Sequence, residues 1–152
     1  MHRLMAAAGL GAATGLRSMS GLAMASRELA ERTGEADALR QWLGRDTVSI
    51  ALSALAIGEI AADKLPDIPD RIEPGPMAAR GFIGAILGAV AGGDDHWIGG
   101  AILGGAAALA AAWIGFSVRK EAGWATGLPD PVIALAEDAV AVAGAREAAR
   151  LM

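Results

Sequence analysis

The chain has no cysteine and no tyrosine, and aromatic residues make up only 4 % of it. Without cysteine there are no disulfides, no thiolate metal ligands and no cysteine nucleophile. The two histidines, His2 and His96, stand far apart in the sequence, and no HExxH, nucleophile elbow or phosphate loop is present. The serines and threonines have no histidine nearby to activate them, so neither an enzyme, a cofactor nor a metal site is expected. Basic excess is also missing. The net charge is -4, whereas nucleic-acid binding needs a basic stripe. Charged residues of either sign are only 20 %, too few for a disordered chain. The scarcity of bulky aromatics argues against a water-soluble core, because Ala and Gly each bury little apolar area.

What the chain has instead is small and apolar. Its 152 residues suit one domain. They are 54 % hydrophobic with 21 glycines, and the mean hydropathy is +0.42. This composition fits helices packed closely in a lipid bilayer. Residues 97 to 118, "WIGGAILGGAAALAAAWIGFSV", carry no charge and as a helix would reach ~33 Å, against a hydrocarbon core of ~30 Å. Trp97 stands at one end and Arg119 and Lys120 at the other. Four weaker segments accompany it: 4 to 26 broken by Arg17, 47 to 62 carrying Glu59, 77 to 93 carrying Arg80, and 131 to 145 carrying Glu137 and Asp138. The first looks like a signal peptide, with "AMA" at 23 to 25 as a cleavage site, but Arg17 interrupts the apolar run and it reads better as a retained helix. Residues 27 to 46 read as an amphipathic surface segment with Leu29, Leu39, Trp42 and Leu43 on its apolar side. Residues 64 to 76 read as a stiff Pro-rich loop. The expected fold is all-α: a polytopic helical membrane protein with four or five segments, in a bacterial inner membrane.

The phrase GAILG occurs twice, starting at Gly84 and at Gly100, on either side of "GGDDH". Gly84, Gly88 and Gly92 are four apart, as are Gly100 and Gly104. In lipid, helices associate by close van der Waals contact, which such small-residue spacing allows. The two copies are therefore expected to be arms of a helical hairpin, or to pair between subunits of a homo-oligomer.

Charges inside apolar segments are the functional candidates, since each is costly at the bilayer centre. Arg17, Glu59, Asp63, Lys64, Arg80, Glu137 and Asp138 form the expected polar cluster, with Arg17 against Glu137 or Asp138 and Glu59 next. A Mg²⁺ or Ca²⁺ site on these carboxylates is disfavoured by the neighbouring Arg17 and Lys64. With five spans, Lys and Arg divide evenly between the two faces and set no orientation. A re-entrant last segment would put the N-terminus inside.

Three stretches, "GLRSMSGLA" (15 to 23), "GEIAADKLPDIPDRIEPGPMAARGFIGA" (58 to 85) and "GLPDPVIALAEDAVAV" (127 to 142), together resemble a family of small bacterial integral membrane proteins known as domain of unknown function 4126. Its most specific parts here are "ADKLP", the Pro69, Arg71, Pro74 spacing and "LPD" followed by "ALAED". The resemblance implies a polytopic helical membrane protein and supplies no reaction or substrate. The expected function is a homo-oligomeric transporter or channel-like protein with the lipid bilayer as its setting. The rival is an accessory membrane protein whose charges only hold helices in register.

Overall fold

The structure, a computed structural model, describes residues 1–32, 38–62 and 73–152. Among them every regular element is a helix: α1 (His2–Leu16), α2 (Ser18–Glu31), α3 (Ala38–Leu43), α4 (Asp46–Ala62), α5 (Pro74–Thr126) and α6 (Asp130–Arg150). Prolines open α5 and α6 in their first turn, where the missing N–H has no helical acceptor to serve. Gly127, left-handed at φ 64°, ends α5, a conformation that glycine adopts without a Cβ clash.

Helix α5 is two arms. Gly93 at φ 69° and His96 at φ -136° break its backbone, and the residues on either side fold back on each other. A Cβ on Gly88 would collide with the carbonyl oxygen of Gly100, and one on Gly84 with the Cβ of Ala108 and the carbonyl of Gly104. The guanidinium of Arg40 donates to the Val90 carbonyl at 2.6 and 3.2 Å, closing the end of the first arm with a cation, as the negative end of a helix favours.

Helix α1 runs parallel to the second arm. Leu4 lies near Gly99, Gly11 against Gly104, and Gly15 against Ala108 and Ala111. At Arg17 the chain reverses. Its backbone is extended (φ -141°, ψ 111°), and α2 returns along α1 so that Gly21 packs on Leu10 and Thr14. Helix α6 shows the reversal from outside. Going from its start to its end, it meets Arg17 at Asp138, Gly9 at Ala148 and Arg32 at the Arg150 carbonyl. It is thus antiparallel to α1 and parallel to α2. Arg3 and Arg40 both reach Gly93, so α1 starts and α3 lies at the end where α5 turns. The hairpin tip at Arg17 is ~23 Å away from that end, at 1.5 Å per residue.

Two expectations change here. The segment at 4 to 26 is not one span but two short helices folded back at Arg17, because the backbone leaves the helical region there. The last segment is longer than 131 to 145, a helix of 21 residues. The loop expected at 64 to 76 falls largely outside the described residues, and its Pro74 and Pro76 belong to the first turn of α5. In the surface segment, α3 buries Leu43 and leaves Leu39 and Trp42 exposed.

Burial is dominated by small residues: Ala6, Ala7, Leu10, Ala25, Leu87 and Ala91 sit in one buried cluster. Large apolar side chains point outward instead, with Ile102 68 %, Phe82 69 % and Trp113 61 % exposed. Among the described residues, α5 is the one helix long and apolar enough to cross a membrane by length and composition.

Candidate functional site at the helix break

The largest fully buried side chain is that of Arg17, 1 % exposed. Its Nε donates to Asp138 Oδ1 at 2.5 Å, and the Asp138 side chain is itself only 8 % exposed. A guanidinium held against a carboxylate in so dry a place needs that partner, because an isolated buried charge is strongly unfavourable.

Breaking the helix at Arg17 also frees the first amides of α2. No side chain of α2's own N-cap residue takes them. The carboxylate of Glu59, brought from α4, does so: Oε1 accepts from Ser18 N at 2.9 Å and Oε2 from Met19 N at 2.8 Å. A carboxylate suits the partially positive start of a helix, and charge-assisted bonds of this kind are the stronger ones. Sequence reasoning assigned Glu59 to Arg17 as a second choice of partner; its hydrogen bonds go to backbone. The signal available was the break itself, since a helix starting at Ser18 needs acceptors from somewhere.

Glu137 does not join Arg17. It lies 3.7 Å from Arg119, which also makes a two-pronged bond to Asp130, at 2.8 Å and 2.5 Å. Residues 137 and 138 are adjacent, so they leave α6 about 100° apart and serve different neighbours. Asp130 and Arg119 were missed as a pair, although "LPDP" placed Asp130 at a helix start. Arg80 is buried on the first arm of α5. Asp63 and Lys64 lie outside the described residues.

Asp138 borders a shallow, open depression of about 480 Å³ along one face of α6, lined also by Ala139, Val142, Ala143, Arg146 and Glu147. The depression runs toward the end where α5 turns. No group of three or more His, Cys, Asp or Glu side chains is placed to hold a metal ion among the described residues.

Residues 4–150 match the family described as "Domain of unknown function (DUF4126)". No curated protein matches the chain, and no solved structure does.

Proposed function

The chain belongs to the DUF4126 family, and from its geometry we propose that it is a multi-pass membrane transport protein with a re-entrant helical hairpin, α1–α2, whose tip is the transport site. In this reading α4, both arms of α5, and α6 cross the bilayer, and the glycines between the arms are its close-packing contacts. The observation that carries the reading is the tip: non-helical backbone at Arg17 and a buried Arg17–Asp138 pair, with an open depression on α6 beside Asp138. Irregular backbone at membrane depth is tolerated where protein buries it or where it lines a cavity, and broken helices are a common way to build a transport site. The outward Ile102, Phe82 and Trp113 suit lipid. Only 22 % of the apolar stretch of α5 is covered within the chain, which leaves area for lipid and for further copies in a homo-oligomer.

The hairpin changes the expected orientation. Among the described residues Arg3, Arg27, Arg32, Arg40, Arg45, Arg146 and Arg150 fall toward the end where α5 turns, with Arg80, Arg119 and Lys120 toward the other. By the positive-inside rule the turn end faces the cytoplasm. Reporter tags on the N-terminus and the C-terminus are expected to lie on the cytoplasmic side together. A tag of either kind found outside would contradict this arrangement.

Transport is tested with purified protein in liposomes carrying fluorescent Na⁺, K⁺ and pH indicators. The expected result is collapse of an imposed cation gradient by the wild type and loss of that flux in Asp138→Asn. Wild-type liposomes as tight as protein-free ones would remove the reading. One observation favours the rival, a scaffold whose charges only hold helices together: Arg17 is almost completely shut away from the surface. The same assay separates the two.

A further inference from the structure

Helices α2 and α6 run parallel and end together, with a cleft of about 370 Å³ between their last turns. Met24, Arg27, Glu28 and Glu31 line it from α2, three and four residues apart and so on one face. Val142, Arg146 and Arg150 line it from α6, each four after the last. Beyond the cleft the Arg32 guanidinium donates to the Arg150 carbonyl at 3.4 Å and ties the two helix ends together. The volume falls within the ~300–1,000 Å³ usual for ligand sites. The apolar Met24 and Val142 lie toward the hairpin tip, and the charges lie toward the end where α5 turns.

Most of these charges already have a partner. Arg27 stands 3.7 Å from Glu31, with both side chains exposed. Arg32 holds Glu28 at 3.0 Å, and Arg150 holds Glu147 at 2.9 Å. Arg146 has no such partner among the described residues. The cleft therefore offers a spare guanidinium beside carboxylates with lone pairs still to give. It also sits at the partially negative ends of two helices, where a cation is favoured. A ligand with negative charge alone would meet Glu28 and Glu31. A quaternary ammonium calls for an aromatic face, and no aromatic residue lines the cleft. A ligand that answers both signs carries a phosphate and a primary ammonium.

We propose that this cleft holds the headgroup of a zwitterionic phospholipid, phosphatidylethanolamine, with its phosphate on Arg146 and its ammonium on Glu28 and Glu31. Both contacts are charge-assisted hydrogen bonds. The acyl chains have a track, because the depression beside Asp138 shares Val142 and Arg146 with the cleft and continues along Ala139 and Ala143. In the orientation above, the cleft lies at the headgroups of the cytoplasmic leaflet, where pockets with basic residues between membrane helices take up lipid headgroups. The inference rests on the membrane reading and does not need transport.

The test is lipid binding by the purified full-length protein in nonionic detergent, read by native mass spectrometry and by melting temperature. Lipids with the same acyl chains are compared: phosphatidylethanolamine, its N-methyl and N,N-dimethyl forms, phosphatidylcholine and phosphatidylglycerol. Phosphatidylethanolamine is expected to bind tightest and to raise the melting temperature most, and the effect to fall with each added methyl as ammonium donors are lost. Arg146→Ala is expected to weaken its binding roughly ten-fold, as loss of one charged hydrogen bond does. Glu28→Gln with Glu31→Gln is expected to move the preference toward phosphatidylglycerol. None of the three side chains is buried, so these variants are expected to fold. Lys120→Ala, at the far end of α5, should bind as the wild type does.

Equal binding of all these lipids overturns the proposal. So does a wild-type preference for phosphatidylglycerol, or a phosphatidylethanolamine preference left intact in Arg146→Ala and in the Glu28, Glu31 double variant. Glycerophosphoethanolamine, the headgroup without its chains, would overturn the lipid assignment by binding as tightly as the lipid. Protein recovered from cells without detergent removes the membrane reading and this site with it, whereas protein that needs detergent but prefers no lipid removes the site alone. A phosphatidylethanolamine preference without cation flux upholds the site and removes the transport reading.

Discussion

Gly104→Ala is expected to lower the melting temperature in detergent, while Gly144→Ala, the same chemical change, raises it. Gly104 stands between two neighbours. A Cβ there would collide with the Gly84 carbonyl oxygen and crowd the Gly88 backbone, and the Cβ position of Gly11 points at the Gly104 carbonyl from α1. The atoms in the way are backbone, which cannot rotate aside like the end of a side chain, so the arms and α1 must separate together. Overpacking of this kind costs about 3 kcal/mol at the upper end of its usual range, or on the order of 5–10 °C for a chain of this size. At Gly144 a Cβ meets nothing within 4 Å. There the change gains only the helix preference of alanine over glycine, up to ~1 kcal/mol. Thermal melts of the two variants beside the wild type decide the matter. Equal shifts of the same sign would show that the contacts between the arms contribute nothing to stability.

The helical class was legible because long apolar stretches without turns of strand type leave little else, and the place of the helix break was legible in Arg17, a charge that interrupts an apolar run. The direction the chain takes after the break was not. Nothing in residues 4 to 26 distinguishes a kinked span from a hairpin, since both bury the same small residues. The even division of Lys and Arg depended on putting Arg3 and Arg27 on opposite faces, and the reversal at Arg17 carries both toward the same end. At the site, a buried guanidinium needs a carboxylate, and that much follows from its type and depth. The choice of Asp138 over Glu137 depends on helical phase, which adjacent positions in a sequence do not reveal. The role of Glu59 was hidden for another reason: its partners are backbone amides, exposed only once the helix is known to end.

Arg17→Ala is expected to be the most damaging single change outside the glycine contacts. It removes the largest fully buried side chain and leaves Asp138, 6 % exposed, without the guanidinium 2.5 Å away. Removing one member of a buried pair costs about 3–5 kcal/mol, because the remaining charge stays desolvated. A loss of that size approaches the whole stability of an ordinary domain, ~5–15 kcal/mol, so Arg17→Ala should be recovered in low yield and melt early. Arg17→Met with Asp138→Leu removes both charges and refills the volume, and buried ion pairs replaced in this way are often neutral or more stable. The double variant is therefore expected to melt near or above the wild type. Its Glu59 still caps α2, because those bonds go to Ser18 and Met19 backbone. Stability and transport then separate: a double variant that folds well but carries no cation flux in liposomes places the pair in the transport path, whereas full flux with full stability would leave it as a clamp between α6 and the hairpin tip. A double variant as unstable as Arg17→Ala alone would mean that the cost lies in the shape of the guanidinium rather than in the charge it leaves behind.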